Sequence, residues 1–378
     1  MSARSRLEQK WYETSHSPRP LDLALRSLAV CYRAGLRVRS LWWQTRRQPA
    51  PVATISVGNL TVGGNGKTPL TLFLAQRLTN RGLHVGIVSR GYRAAHRGRP
   101  LLVANRGTAL VGVDEAGDEP LMMAHRFDGP IAVARRRLDA VELLVRDFAL
   151  DAIILDDGFQ HLRLRRDLDI VAINDRRRLG NCLVLPAGPL REPASALARA
   201  DFVVIVGRRD TPAIERTTVA GRPTLRASLE PSALVTLSAQ GWVVGPLMLD
   251  GRRVVAVSGV ADPDGFIATL TAHGAQVVQH LRFPDHHRYS LADWLAISRA
   301  STTADLVVTT EKDLPKLEDF APRLKTLCAV RLEVTMAALD EEQLIATALA
   351  RIERRPVAGL SPGTARSIVR SLRPAGRV

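Results

Sequence analysis

An α/β protein with mainly parallel, doubly wound sheets in two lobes is the fold class this 378-residue sequence predicts. Three observations predict it. Short apolar runs of strand length alternate with helical patterns from about residue 52 to 206, and again from about 254 to 332; such alternation builds parallel sheets covered by helices. The length suits two domains rather than one small module. Apolar residues at 46% and charged residues at 24% are close to globular averages, so most of the chain should bury a core.

In chain order, residues 1–50 carry a basic amphipathic helix. Pro18 and Pro20 precede it, and at 100° per residue Leu21, Leu25, Leu28, Tyr32 and Leu36 share one face while Arg26, Arg33 and Arg37 lie roughly opposite. Leu41-Trp42-Trp43, followed by Arg46-Arg47, closes the segment. The pattern suits a helix lying in a membrane interface and equally a helix packed on the globular body with its Arg solvated. No run of 18 uncharged apolar residues occurs, so no spanning helix is expected. Glu8 and Glu13 interrupt the order of a secretory signal.

Residues 51–222 form the first expected lobe. The buried-strand pattern Val52–Val57 leads into Gly58-Asn-Leu-Thr-Val-Gly-Gly-Asn-Gly-Lys-Thr68 and then a helical pattern to about Arg81. Strand, Gly-rich loop, Gly-Lys-Thr and helix is the order of a phosphate-binding loop. Gly63, Gly64 and Gly66 let backbone N–H groups turn on phosphate oxygens, Lys67 neutralises charge, and Thr68 offers a hydroxyl to Mg²⁺. The first Gly of the general pattern is replaced by Thr61. Further strands are expected at His84–Val88, Ile131–Val133, Leu150–Leu155, Leu168–Ile173 and Phe202–Val206. The fourth of these six strands ends in Asp156-Asp157, carboxylates at the sheet edge where α/β proteins bind ligands and where a metal shell is completed. Gly117-Asp118-Glu119-Pro120 reads locally as a helix N-terminus.

Residues 223–250 read as linker strands, at Leu234–Leu237 and Trp242–Val244. Residues 251–350 repeat the α/β pattern without a second phosphate loop, with strands at Val254–Val257, Ala275–Gln279, Leu306–Thr309 and Ala329–Leu332. The adjacent pair His286-His287 lacks the i, i+4 spacing of a helical metal pair, so an acid/base or carboxylate-orienting imidazole, or a solvated loop, is the reading. Thr309-Thr-Glu-Lys-Asp313, at a strand end, is ambiguous between a site feature and a cap for the following helix. Residues 351–378, rich in Arg, Pro and Gly, read as a poorly ordered basic tail.

The net charge of +16 is concentrated at the ends: +7 in residues 1–50 and +6 in residues 351–378. The nearly balanced middle, with only 17 aromatic residues in the chain, argues against a nucleic-acid-binding face. Cys31, Cys182 and Cys328 lie too far apart for a disulfide framework or a structural zinc site. A phosphate-loop GTPase or metallochaperone-like NTPase is the alternative reading of the loop; its guanine-reading Asn/Thr-Lys-x-Asp is approached only by Thr310-Glu-Lys-Asp313, which lacks the spacer.

Together, Val57–Pro69, Ser89-Arg-Gly-Tyr92, Gly117–Pro120, Asp156-Asp-Gly-Phe-Gln-His161, Leu185-Pro-Ala-Gly-Pro-Leu-Arg-Glu-Pro193, Phe283-Pro-Asp-His286 and Thr310–Asp313 closely resemble the tetraacyldisaccharide 4′-kinase family of lipid A biosynthesis, from about residue 20 to 345. That family's loop likewise lacks the first Gly. The resemblance implies transfer of the ATP γ-phosphate to the 4′-hydroxyl of a tetraacylated glucosamine disaccharide 1-phosphate, giving lipid IVA, with Mg²⁺ as cofactor. It implies two α/β/α lobes joined by a short two-stranded linker, closing on the substrate, and an N-terminal helix on the cytoplasmic face of the inner membrane. Implied partners are the lipid-linked acylated disaccharide phosphate and an anionic membrane surface, with no nucleic acid, and the chain is expected to be a monomer. Residue by residue, Gly63, Gly64, Asn65, Gly66, Lys67 and Thr68 match the nucleotide loop, and Thr68, Asp156 and Asp157 the metal positions. Asp118 matches the base and His286 its partner, with His287 left as a competing imidazole. Arg90, Arg137, Gln160 and Arg191 match acceptor-side positions.

Overall fold

The computed structural model describes residues 11–12, 20–92, 99–207, 219, 221–238, 241–320, 324 and 326–355. In order they form α1 (Pro20–Gln44), β1 (Ala53–Gly58), α2 (Lys67–Thr79), β2 (Val85–Ser89), β3 (Leu101–Asn105), β4 (Thr108–Ala109), α3 (Val113–Ala116), α4 (Asp118–Ala124), β5 (Ile131–Val133), α5 (Arg137–Asp147), β6 (Ala152–Asp156), β7 (Leu168–Asn174) and β8 (Phe202–Gly207). Then follow β9 (Thr224–Ser238), β10 (Gly241–Gly245), β11 (Arg253–Ser258), α6 (Pro263–Ala272), β12 (Gln276–Arg282), α7 (Leu291–Ser301), β13 (Leu306–Thr310), β14 (Leu327–Met336) and α8 (Ala338–Glu353).

The strands join into one 14-stranded sheet in the order β12-β11-β13-β14-β9-β8-β7-β1-β6-β2-β5-β3-β4, with β10 on β9. The first lobe is parallel from β8 to β5, and the second is parallel from β12 to β14. Strands covered on both faces cannot alternate polar with apolar; every residue of β1, β2 and β6 is buried accordingly. On one face of the first sheet Ile55, Val57 and Ile154 pack with Leu70 and Leu74 of α2 and Met123 of α4. On the other, Ile153 and Leu155 meet Val141 and Leu144 of α5. The second sheet is covered by Trp294 and Ile297 of α7 on one side and Leu270 of α6 on the other.

Three expectations change. The joint between lobes is not confined to residues 223–250. β9 runs for 15 residues, starts parallel to β8 and continues antiparallel to β14, so the returning strand of the joint lies at residues 327–336. The β10 hairpin, read as a connecting strand, is a side branch on β9. Second, the boundary at residue 350 misplaces α8: Leu344, Ile345 and Ala348 are buried in the first lobe's core beside α2, because they supply the apolar stripe that this face lacks. The helix also takes in residues 351–353 of the expected tail, and Arg351 pairs with Asp201 at 3.0 Å; residues 356–378 of that tail lie outside the described residues.

Third, the stripe on α1 that was read as a candidate lipid face turns partly inward, with Leu28 left exposed. Ala29 is buried against the first lobe, Leu25 and Leu36 are half-buried, and the Tyr32 hydroxyl donates to the Arg191 carbonyl at 3.1 Å. Leu23, Val30, Val38, Leu41 and Trp42 instead stand exposed on the opposite side. Among the described residues no helix is long and apolar enough to cross a membrane.

Leu344 is fully buried where α8 closes the first lobe. Leu344→Ala should cost about 2–5 kcal/mol of unfolding free energy by transfer and cavity terms, read from a urea midpoint; a loss below ~1 kcal/mol, as for an exposed site, would contradict this packing.

Candidate active site

The loop between β1 and α2 is shaped from within. Gly63 and Gly66 have φ of 103° and 72°, and a Cβ on Gly66 would lie 2.6 Å from Val206 Cγ1. Such positions are strained for any other residue. A Cβ on Gly64, by contrast, would meet nothing within 4 Å. The buried Asn65 side chain turns into the loop and stitches it: its amide donates to the Gly63 carbonyl at 3.1 Å, and its Oδ1 accepts from the Thr61 hydroxyl at 3.1 Å. Thr61, standing where the general pattern has Gly, is thus part of the loop's internal bonding. The loop is also tied to the Leu185–Pro193 segment, since Val62 N donates to Pro189 O at 2.9 Å and Arg191 N to Leu60 O at 2.7 Å.

β6 lies beside β1 in a register that pairs Val57 with Asp156. This brings the strand-end carboxylate under the start of α2. Asp156 is fully buried and accepts from the hydroxyls of Thr68 at 3.4 Å, Thr71 at 3.2 Å and Ser89 at 3.4 Å. Burial and the nearby Glu119 charge, opposed by Lys67, push its carboxyl up to about 7.

Asp157, expected to share the metal with Asp156, has different partners. Both its oxygens accept from Arg191 Nη1 at 3.1 and 3.0 Å, and Lys67 Nζ lies 3.4 Å away. Burial alone would raise it, but these two cations hold it well below the usual carboxylate range. In Lys67 burial works to lower the ammonium, and Asp157, Glu119 and Asp156 outweigh it, so the group stays charged. Arg137, the first residue of α5, is buried, which pulls it down to about 10, and points Nη2 at the Asp157 carbonyl at 3.4 Å. Gln160 donates to the Asn59 carbonyl at 2.7 Å, leaving its buried Oε1 without a hydrogen-bond partner among the described residues. Arg90, Arg137, Gln160 and Arg191 all line the same cleft as the loop, as do His161 and Tyr92.

Across this cleft the lobes meet. Asp118 opens α4 in the first lobe, and its Oδ2 lies 3.0 Å from Nδ1 of His286 in the second. Burial would raise the Asp118 carboxyl, yet the His286 hydrogen bond and the Lys316 ammonium 3.4 Å away bring it below its ordinary value. His286 has φ of 60°, in the left-handed region, and its N–H donates to the Gly259 carbonyl at 3.2 Å. His287 turns away: it lies 3.0 Å from Asp293 and stacks on Phe283, so the imidazole that reaches the cleft is His286.

The cleft has a volume of ≈ 990 Å³ and takes lining from both lobes and from Tyr32 and Arg39 of α1. Several of its residues escaped sequence reasoning. Lys312 contacts His286 Nε2 at 3.1 Å, Asp285 Oδ1 at 3.1 Å and Glu119 at 3.5 Å. Glu311 pairs with Arg126 of the first lobe at 3.0 Å and with Arg331 of β14 at 2.8 Å. Thr310 and Asp313 of the Thr309–Asp313 string serve the turn, Asp313 accepting from the Thr310 hydroxyl at 2.8 Å and from Gly259 N at 2.9 Å. The string itself was the available signal: three charged side chains in a row at a strand end exceed what one cap needs.

No group of three or more His, Cys, Asp and Glu side chains able to hold a metal occurs among the described residues. Thr68 and Asp156 are the pair that fits Mg²⁺, an ion that takes one or two carboxylates and fills its remaining shell from phosphates and water. A glycine loop, a charged lysine and a helix start on one wall, with a carboxylate–imidazole pair on the other, belong to the phosphate-loop nucleotide-binding class of α/β enzymes.

Residues 21–353 match the tetraacyldisaccharide-1-P 4′-kinase family, and the chain belongs to it. A tetraacyldisaccharide 4′-kinase of Anaeromyxobacter dehalogenans (strain 2CP-C) is 40% identical over 349 residues, covering 87% of this chain and 90% of that one. One from Syntrophus aciditrophicus (strain SB) is 34% identical over 358 residues, covering 88% and 95%. The crystal structure of LpxK from Aquifex aeolicus in complex with ATP superposes with a TM-score of 0.72 at 30% identity, over 88% of this chain and 99% of that one. Family and fold class both agree with the expectation from sequence.

Gly66→Ala should destabilise the chain by about 1–3 kcal/mol through its left-handed backbone, and Gly64→Ala by less than ~0.5 kcal/mol. Chemical denaturation of the two variants side by side measures this; equal effects would contradict the described loop.

Proposed function

We propose that the chain is a Mg-ATP-dependent kinase that transfers the γ-phosphoryl group of ATP to the 4′-hydroxyl of a tetraacyldisaccharide 1-phosphate, giving lipid IVA, at the cytoplasmic face of the inner membrane. The observation that carries this reading is the Asp118–His286 pair, 3.0 Å apart and facing the Lys67 loop across one cleft. A sugar hydroxyl is a weak nucleophile, and phosphoryl transfer needs a positioned acceptor for its proton.

In this reading the backbone N–H groups of residues 63–68 and the start of α2 hold the β- and γ-phosphates, with Lys67 spreading their charge. Thr68 and Asp156 would hold Mg²⁺, which when bound would screen the phosphates and orient the γ-phosphoryl group. Asp157 is left to fix Lys67 and Arg191 rather than to ligate. Asp118 accepts the hydroxyl proton as the new O–P bond forms and the bond to the bridging oxygen of ATP breaks. Arg90, Arg137, Gln160 and Arg191 take the acceptor: a buried guanidinium matches an anionic sugar phosphate, and the orphaned Gln160 Oε1 is ready to accept from a sugar hydroxyl.

The acylated acceptor is met at a bilayer surface. The exposed Leu23, Val30, Val38, Leu41 and Trp42 of α1, flanked by Arg26, Arg33 and Arg37, supply an apolar face and a basic rim for anionic lipid. The inward side of the same helix lines the cleft through Tyr32 and Arg39, so one element spans lipid and site.

Incubating the purified protein with Mg-[γ-³²P]ATP and the tetraacyldisaccharide 1-phosphate in detergent should label the acceptor, and no transfer would overturn the kinase reading. Asp118→Ala should lower kcat by about 10²–10⁴-fold with little change in ATP KM; near-normal turnover would assign the base elsewhere. Replacing Leu23, Val30, Leu41 and Trp42 together by Ser should abolish sedimentation with anionic vesicles while leaving the thermal melt unchanged. Undiminished sedimentation would remove α1 as the membrane contact.

A further inference from the structure

We propose that Lys312 is a positioning residue that fixes the proton of His286 on Nδ1 and so keeps Asp118 free to accept the acceptor's proton; this rests on the kinase reading above. The argument begins with donor chemistry. Lys312 Nζ lies 3.1 Å from His286 Nε2. An ammonium group has three donors and no acceptor, so Nε2 must present its lone pair. A ring whose Nε2 is an acceptor carries its single proton on Nδ1, and that N–H donates to Asp118 Oδ2 at 3.0 Å. The tautomer is therefore assigned by the hydrogen-bond network.

Lys312 is held in its charged form. Burial acts to discharge it, but Glu119 and Asp285 outweigh that and raise it above its ordinary value. Its other contacts do a second task. Asp285 Oδ2 lies 3.7 Å from Nε2 and would favour a second ring proton there, but Lys312 sits 3.1 Å from Asp285 Oδ1 and compensates that carboxylate. Among the described residues the imidazole meets Asp118, Lys312, Asp285 and the Tyr92 ring at 5.2 Å, while Glu119 pairs with Lys312 and Lys316 with Asp118. The left-handed backbone of His286 shows how firmly the ring is placed, since a non-Gly residue holds such a φ only where its surroundings over-determine it.

The consequence concerns the reaction's proton. With Nδ1 already protonated, the ring has no site from which to take a proton off Asp118. The hydroxyl proton therefore goes to Asp118 and stays there, while the oxygen–phosphorus bond forms and the electron pair of the broken bond leaves with ADP. A doubly protonated ring in the same place would make Asp118 a weaker base by placing a full positive charge 3.0 Å from it. Asp118 and Glu119 belong to one lobe and His286, Asp285 and Lys312 to the other, so the proton arrangement is assembled only when the lobes meet.

The test uses the full chain in detergent micelles with ¹⁵N-histidine, the His286 signals being identified by their loss in His286→Asn. The expected spectrum of the wild-type chain at pH 8 is a ring with its proton on Nδ1 and a bare Nε2. An Nε2–H or doubly protonated ring there would overturn the proposal without any variant. Lys312→Met should let a proton occupy Nε2, lower kcat about 10²-fold, and leave the acceptor KM unchanged. Lys312→Arg, which keeps a donor, should retain the Nδ1–H ring. If Lys312→Met loses activity with the ring state unchanged, or keeps both, the positioning role is refuted. Absence of transfer by the wild-type chain would instead refute the kinase reading, so the two failures are separable.

Discussion

The antiparallel ladder between β9 and β14 is the constraint on which the rest depends. Its backbone pairs run from Ala227–Met336 to Thr236–Cys328, one bulge apart from continuous. At one end β9 is parallel to β8, and at the other β14 is parallel to β13. Two sheets that would otherwise be separate bodies are thereby one hydrogen-bonded surface, and the carboxyl-side edges of both face a shared cleft. Ligands in open α/β sheets bind at that edge. The contact between Asp118 and His286 follows from it, because each comes from a loop at its own lobe's edge.

A second principle governs the cleft's chemistry. Its charged groups are buried and compensated in sets: Lys67 with Asp157, Arg191 with the same carboxylate, Arg126 with Glu311, and Lys312 with Asp285. Removing any one member leaves a buried charge uncompensated, which costs far more than the pair contributes as a whole. Charges held in this way are already oriented when substrate arrives, and low-dielectric surroundings strengthen their action on a phosphoryl group. The same sets join the lobes: Arg126 and Glu119 reach across to Glu311 and Lys312.

How much of this the sequence disclosed varies with the range of the interaction. Strands β1, β2, β6, β7 and β8 were legible because a strand buried on both faces must be a continuous apolar run. The Gly63–Thr68 loop was legible because its spacing is local. Asp118 and His286 lie 168 residues apart, and only the family resemblance joined them; locally one reads as a cap and the other as a loop imidazole. The side-chain partners of Asn65 and Asp157, the loop's own backbone and the Lys67–Arg191 pair, were not legible for a different reason. Composition places a polar group in a loop but does not say whether it faces the ligand or the loop's own backbone. On α1 periodicity gave one apolar face but not its partner, lipid or the globular body, and it missed the second apolar set at Leu23, Val30, Val38, Leu41 and Trp42, while the side with Ala29 is the packed one. For α8 the helix itself is strongly amphipathic, but no local signal says which lobe lacks a covering stripe.

The return of α8 to the first lobe gives the chain a nested order. The first lobe's core contains Ile55 near one end and Leu344 near the other, while the second lobe's strands and helices fall wholly between β9 and β14. Contacts of such wide sequence separation close late, since the loop entropy must be met before they contribute. During synthesis from the N-terminus the inserted lobe is complete before its host. The nucleotide loop is therefore translated early but gains its last core layer only when some 290 further residues have been made. Ribosome-bound chains ending before α8 leave open to water the apolar face of the first lobe that Leu344, Ile345 and Ala348 cover in the finished chain.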